Sequence, residues 1–269
     1  MADSLKIEVA KHIVELRIKE SYLLNEVSRN YSIFLSDGEP EIKVDLELSP
    51  DVPSVDSPVA KLELQRHFMS IVDEYLMASL DLKHRHGWVR INPENPLYPL
   101  GTFLRNMFTL LVCLQDEGVV LHAVGVLHGD QVYIFIGPSK AGKTTVAKLS
   151  PDKMVLSDDM VMVKRFQGQF MVFPTPCWGD MQTGMRQNRP YGINSMFKII
   201  KDKSVYLERL SRAHALADIF TVPHIPAEFI PKQKMLTTFS ELISSVPYYG
   251  LHFLPEPSLW DCITAMREL

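Results

Sequence analysis

The pattern of apolar and polar residues predicts a β-rich first part of the chain. Residues 42–48 alternate strictly between apolar and polar side chains, which is typical of a strand with one buried face. The segments 61–68, 74–82 and 87–92 also have the composition of short strands. Together they predict a β-rich region over residues 1–99 that packs on, or extends, the rest of the chain.

The second part, residues 100–269, opens on a helical pattern. The sequence predicts a helix that ends at about Glu117, just before Gly118. Two apolar runs, 119–127 and 131–136, are joined by His-Gly-Asp, and this arrangement predicts a β-hairpin. The apolar residues at helical spacing are Phe103, Leu104, Met107, Leu110, Leu111 and Leu114.

Composition narrows the class of protein. The 269 residues are 46 % hydrophobic and 22 % charged, which excludes a wholly disordered or fibrous chain. A net charge of −4 argues against nonspecific binding to nucleic acid or to an anionic membrane. The longest uncharged apolar runs are about half as long as a membrane span, and residues 1–8 show no apolar signal core. We therefore expect a cytoplasmic protein that binds neither nucleic acid nor membrane.

Three widely spaced cysteines predict neither a disulfide framework nor a cysteine-based zinc site. The histidines of the C-terminal half are likewise too scattered to predict a metal site.

The strongest chemical signal is a phosphate-loop motif. Residues 137–144 read Gly-Pro-Ser-Lys-Ala-Gly-Lys-Thr and fit the P-loop (Walker A) pattern, between an apolar strand and a helix-compatible run. Glycines at the sharp bends let successive backbone N–H groups surround a phosphate chain. Lys143 would reach the outer phosphates, and the Thr144 hydroxyl would bind the Mg²⁺ that bridges them. The predicted nucleotide-binding residues are Gly137, Pro138, Ser139, Lys140, Ala141, Gly142, Lys143, Thr144 and Thr145.

A second signal is a pair of acids at the end of the apolar run 154–157. A carboxylate at such a strand end can hold Mg²⁺ or its waters, and a neighbouring carboxylate can act as a base on an incoming hydroxyl. Asp158 and Asp159 are therefore candidates for these two roles, although a Ser-Asp-Asp segment can also be a solvated turn.

The spacing of the two signals bears on the architecture. Asp158 follows Lys143 by only 15 residues, and Pro151 limits the intervening helix to about two turns. Many nucleotide-hydrolysing P-loop proteins place the metal-binding acid much further along the chain. We therefore predict a mixed β-sheet rather than an all-parallel one.

His122 lies in an apolar run beside the predicted hairpin, 15 residues before Gly137. Such a histidine is often only a satisfied core residue. Its position could instead bring it to a transferred phosphoryl group, where it would stabilise charge or assist proton transfer.

His122, the loop and the Asp-Asp pair, at these intervals, resemble the catalytic domain of the HPr kinase/phosphorylase family. The resemblance is closer to the HPr-kinase-related kinases, some of which modify ribosomal peptides, and its core covers residues 121–163. It implies an α/β fold of α+β character, with a phosphoenolpyruvate-carboxykinase-like mixed β-sheet core and a P-loop. The glycine-rich signature segment of the bifunctional HPr enzyme is only hinted at by residues 189–194, so HPr itself as substrate, and a phosphorylase activity, are in doubt.

The resemblance also implies roles for single residues. Asp158 would be the base on the acceptor hydroxyl, Asp159 a metal ligand together with Thr144, and His122 a contact to the phosphoryl group. Lys143 would hold the phosphates. The roles of the two acids could be reversed.

The activity expected from these features is ATP- and Mg²⁺-dependent transfer of a γ-phosphoryl group to a hydroxyl, most simply a serine of a small protein or peptide. A small-molecule kinase, for example on free serine, and a non-catalytic nucleotide-binding regulator are the alternatives. Whether the chain forms homo-oligomers is left open. Weaker candidates for contacts to the acceptor or the phosphates are Trp178, Asp180, Arg186 and Arg189.

Overall fold

The computed structural model describes residues 3–52, 61–65, 67–115, 118–150, 153–177, 187–221, 232–256 and 258–265. The protein is of mixed α/β type, with two β-sheets that each contain parallel and antiparallel neighbours. Its contacts divide it into two compact units, Met1–Phe108 and Thr109–Leu269, and the division falls inside helix α2 (Leu97–Leu110).

The first unit contains a seven-stranded mixed sheet in the order β1-β2-β3-β7-β6-β5-β4. Helix α1 buries Leu23 and Val27, and it contacts the first two strands. The elements before α2 are β1 (Asp3–Val9), β2 (His12–Ile18), α1 (Ser21–Asn30), a 3₁₀ turn (Ser32–Phe34), β3 (Ile42–Leu48), β4 (Lys61–Gln65), β5 (Phe68–Asp73), β6 (Leu76–Asp81) and β7 (His86–Ile91).

The second unit contains an eight-stranded sheet flanked by helices. After α2, a π-helical turn continues to Gln115. The remaining elements are β8 (Gly118–His128), β9 (Gln131–Ile136), α3 (Lys143–Lys148), β10 (Met154–Ser157), β11 (Met160–Phe166), β12 (Gln169–Phe173), β13 (Tyr191–Lys201), β14 (Tyr206–Arg209), α4 (Arg212–Ile219), α5 (Lys232–Ser245), β15 (Tyr248–Phe253) and α6 (Leu259–Ala265).

Five strands of the second sheet form a closed ring of neighbours. Strand β8 pairs along one edge with β9 and along the other with β10 and then β11. From β11 the pairing passes through β12 to β13, and β13 pairs in parallel with β9, which completes the ring. Beyond the ring, β13 continues in parallel with β15.

A hydrophobic core fixes the hairpin β8–β9 under helix α3. Phe135 of β9 stacks on Phe197 of β13 with ring centroids 5.1 Å apart, and Trp260 of α6 meets Phe135 edge to face. Val146 of α3 belongs to the same buried cluster. Burial of such large apolar side chains holds the end of β9, from which the phosphate-loop segment departs, in a defined position.

The prediction of a mixed sheet is confirmed, and so is the hairpin over the runs 119–127 and 131–136. The strand at 42–48 is also confirmed. The sequence placed residue 68 at the end of one strand, whereas Phe68 begins a separate strand, β5. Helix α2 begins before the predicted start at residue 100, with Pro99 in its first turn, where its missing N–H has no helical partner to lose.

Among the described residues, one segment, Leu97–Leu114, is long and apolar enough to span a membrane by length and composition, and 61 % of it is buried in the protein. The prediction from the sequence considered only uncharged apolar runs. It did not include this segment, because the segment contains Arg105. Mostly buried helices of this kind also occur in the cores of non-membrane proteins.

Candidate functional site

The phosphate-loop segment connects the end of β9 to the start of α3 and contains two residues with left-handed backbone, Lys140 (φ 63°) and Gly142 (φ 116°). A Cβ atom on Gly142 would lie 3.2 Å from Cε1 of Phe253, so both the conformation and the space favour glycine there. A Cβ on Gly137 would lie 2.8 Å from the Cβ of Ala141, which is too close. The two motif glycines therefore allow the chain to fold tightly back on itself.

Lys143 is buried at the centre of this loop. Its Nζ donates hydrogen bonds to the carbonyl oxygens of Gly137 (2.9 Å) and Pro138 (3.2 Å). Burial lowers the pKa of the Lys143 ammonium, and the nearby carboxylate of Asp159 partly offsets this effect. The first part of the loop thus holds the lysine in place through two backbone carbonyl groups. These groups carry no negative charge to balance the positive charge of the ammonium.

The acidic pair lies in a turn between β10 and β11, on the edge of β8 opposite to β9. Asp158 is buried, whereas the Asp159 side chain is 22 % exposed. The carbonyl oxygen of Asp159 accepts a hydrogen bond from the N–H of Ala123 on β8 (3.2 Å). Strand β8 therefore lies between the acidic turn and β9, from whose end the phosphate-loop segment departs. The backbones of the turn and of β9 are about two strand spacings apart, roughly 10 Å.

His122 lies on β8, opposite Met160 in the register of the β8–β11 pair. Its side chain is half exposed, and its Nε2 is 3.6 Å from Oδ1 of Asp159. The histidine is therefore not a buried core residue, and it faces the acidic pair.

These groups surround one cavity of about 450 Å³. The structure thus brings His122, both acids and most of the predicted loop residues together, although their positions in the chain span 38 residues. Of the remaining loop residues, Gly137 and Pro138 accept the hydrogen bonds of Lys143, and Ala141 lies against Gly137. The residues that line the cavity are His122, Ser139, Lys140, Gly142, Lys143, Thr144, Thr145, Asp158 and Asp159.

The charges of this cavity suit a ligand that is anionic and carries a divalent cation. Two lysines offer donors to phosphate oxygens, and two carboxylates and two threonine hydroxyls offer oxygen ligands to a hard cation. Within the described residues, no group of three or more His, Cys, Asp or Glu side chains could form a metal site by itself. Mg²⁺ does not require one, because one or two carboxylates and the phosphates of a substrate commonly hold it.

Other candidates from the sequence do not join this cavity or cannot be placed. Trp178, Asp180 and Arg186 lie outside the described residues. Arg189 packs over the ring of Tyr191 and lies 3.4 Å from Asp130, which precedes β9, whereas the phosphate-loop segment follows the other end of that strand. Arg189 is therefore placed away from the predicted phosphate contacts.

Two polar residues beside the acidic turn, Ser157 and Thr175, could not be identified from the sequence alone. Both are buried and donate or accept hydrogen bonds that shape the turn. The available signal was the tendency of serine and threonine to form turns through their own backbone neighbours, which is weak without knowledge of the surrounding structure.

Comparisons with known proteins give likenesses among solved structures and none to a family model or a curated protein. No family model matches the chain, and no curated protein matches it. Among solved structures, the chain is similar to the Hpr(Ser) kinase/phosphatase from Coxiella burnetii, with 12 % sequence identity and a TM-score of 0.34. The matched part covers 55 % of this chain and 90 % of that one.

Proposed function

We propose that this protein is an ATP-dependent kinase that transfers the γ-phosphoryl group to a hydroxyl, in particular a serine of a small protein or peptide. The observation that carries the proposal is the convergence of the P-loop motif, the Asp158-Asp159 turn and His122 on one cavity. A phosphoryl-transfer site needs positioning and charge neutralisation more than covalent chemistry, and this cavity supplies groups for both.

The loop is the natural place for the phosphates of ATP. In anion-binding nests, a tight loop directs successive backbone N–H groups toward a concave surface, and the phosphates would bind there. The Lys143 ammonium would exchange its bonds to two carbonyl oxygens for stronger, charge-assisted bonds to phosphate oxygens. Lys140, which also lines the cavity, would add positive charge at its rim.

The residues present fit Mg²⁺ bound together with ATP. Thr144 and Asp159 would hold it, because hydroxyl and carboxylate oxygens are the donors it prefers. When bound, Mg²⁺ neutralises charge that develops on the phosphate oxygens.

Asp158 would orient the acceptor hydroxyl and receive its proton, because it is the more buried of the two acids and lines the same cavity. His122, half exposed at the edge of the site, would contact the transferred group and position Asp159 through their close approach.

The proposal is tested by calorimetric titration of the full chain with ATP and Mg²⁺, followed by transfer from γ-labelled ATP to candidate acceptors. We expect saturable ATP binding and label on a serine of a protein or peptide encoded beside this chain. Label on free serine would instead favour a small-molecule kinase. ATP binding with no transfer to any acceptor would favour a nucleotide-binding regulator, and no ATP binding would refute the proposal.

The pKa of Lys143 gives the expected pH dependence. A lysine is cationic below its pKa, so a lowered pKa means that the charge is lost at a less alkaline pH than for an exposed lysine. ATP affinity should therefore weaken as the pH rises through that lowered pKa. The variant Lys143→Arg keeps its charge throughout and should show a flatter profile, even if its affinity is lower. Identical slopes for the two proteins would contradict a role for the Lys143 charge.

A further inference from the structure

We propose that Ser157 and Thr175 are positioning residues that hold the acidic turn in the geometry needed for the metal–nucleotide complex. This inference rests on the proposed function, because it concerns the same site. Neither residue lines the cavity, and both act on it through the backbone of the turn.

Ser157 uses its complete hydrogen-bonding capacity to hold the turn, with two bonds inside it and one to a neighbouring segment. Its Oγ accepts the N–H groups of Asp159 (3.3 Å) and Met160 (2.9 Å). The same hydroxyl donates to the carbonyl oxygen of Cys177 (3.3 Å). A hydroxyl has one donor and two acceptor positions, so all are occupied. The hydroxyl thereby fixes the backbone on either side of the Asp159 side chain.

Thr175 holds the other side of the turn. Its Oγ1 lies 3.2 Å from the carbonyl oxygen of Met160 and 3.4 Å from that of Cys177, so it can donate to either. Thr175 is completely buried between two buried prolines, Pro174 and Pro176, whose rings restrict the backbone. The acidic turn is therefore bonded to a buried side chain that is carried on a stiff backbone segment.

The effect on the site follows from where these bonds are made. Each carboxylate is joined to a turn whose backbone has few remaining degrees of freedom, so its oxygens are pre-organised before a ligand arrives. Removing the Ser157 hydroxyl leaves the N–H groups of Asp159 and Met160 without this acceptor, and the turn must shift to find others. The phosphate-loop segment lies on the other edge of β8 and makes none of these hydrogen bonds.

ATP affinity can fall because the acidic turn is damaged or because the protein loses structure in general, and binding with and without Mg²⁺ distinguishes the two causes. Damage to the turn should weaken binding of ATP with Mg²⁺, because the carboxylates are misplaced. It should leave binding of ATP in EDTA nearly unchanged, because the loop amides and Lys143 hold the phosphates without the metal. A general loss of structure would weaken both.

The test compares Ser157→Ala with Ser195→Ala by titration with ATP, once with Mg²⁺ and once with EDTA. Ser195 is a matched control, since it is also a buried serine of the same sheet but bonds to Asn194 on β13. For Ser157→Ala we expect the ratio of the two affinities to fall by about tenfold or more, as for residues that orient metal ligands. For Ser195→Ala the ratio should equal that of the wild type.

A second pair of variants distinguishes the loss of a hydroxyl group from misfolding. Thr175→Val removes the hydroxyl at nearly constant shape, whereas Thr175→Ser keeps it. We expect the valine variant to lose the Mg²⁺-dependent part of the affinity and the serine variant to retain it. If Ser157→Ala and Thr175→Val keep the wild-type ratio, or lose both affinities equally while folded, the inference is wrong. If the wild type itself binds no ATP, the proposed function fails instead.

Discussion

Replacement of Lys143 by alanine should abolish phosphoryl transfer and weaken ATP binding by about 10- to 100-fold. The magnitude corresponds to the net loss of one charge-assisted hydrogen bond, worth about 1.5–3 kcal/mol. The folded state should tolerate this change well, because in the free protein the Nζ group bonds only to two loop carbonyls and its burial opposes its charge. Calorimetric titration with ATP·Mg²⁺ and a labelled-ATP transfer assay measure the two effects.

Lys148 provides the matched control, since it is an exposed lysine in the last turn of the same helix. Lys148→Ala changes the net charge of the protein by the same amount, and it should bind ATP as the wild type does. Equal affinity and turnover in Lys143→Ala and wild type would remove the phosphate-loop segment from the site.

The second large effect is expected from the two acids, which should fail in different ways. Asp158→Asn should lower the turnover rate by roughly 10²–10⁴-fold with ATP affinity nearly intact, because a base acts on the acceptor proton in the transition state. Asp159→Asn should weaken binding of ATP with Mg²⁺, and a higher Mg²⁺ concentration should partly restore activity. Asparagine keeps the shape of the side chain while it removes the charge and the basicity.

Steady-state kinetics at several Mg²⁺ concentrations separate these outcomes, with Asp130→Asn as the control, since Asp130 is an exposed acid in the turn before β9. If Asp158→Asn turns over normally and Asp159→Asn is inactive with intact affinity, the two roles are reversed. If neither substitution affects transfer, the turn is only structural, and a regulatory nucleotide-binding protein becomes the better interpretation.

The sequence was informative where the determinants of structure are local. The hairpin β8–β9 could be predicted because a Gly-Asp turn joins two apolar runs. The order of strand, loop and helix around residues 137–144 could be predicted because an apolar run precedes the motif and a helix-compatible run follows it. The short step from Lys143 to Asp158 was enough to predict a mixed sheet. The hairpin, the loop and this spacing are each determined by residues that lie close together in the chain.

The closed ring and the support of the acidic turn could not be predicted, because both depend on pairings between distant residues. Strand β13 joins β9 across some 60 residues, and nothing in either segment identifies the other as its partner. The contact of Ser157 with the carbonyl oxygen of Cys177 likewise depends on where the β12 segment returns. In the first unit, alternation predicted β3, but the sequence contains no comparable signal for its parallel pairing with β7.

The ring also limits the strand edges that the second sheet exposes. Strands inside a closed ring have no free edge over their paired lengths, and an exposed edge is the usual template for aggregation. Within the described part of the second sheet, the two terminal strands are β10 and β14, each only four residues long. In β10 the residues from Val155 to Ser157 are buried, and β14 ends on the charged pair Glu208-Arg209. Short, covered or charged edges of this kind give a neighbouring chain little to pair with.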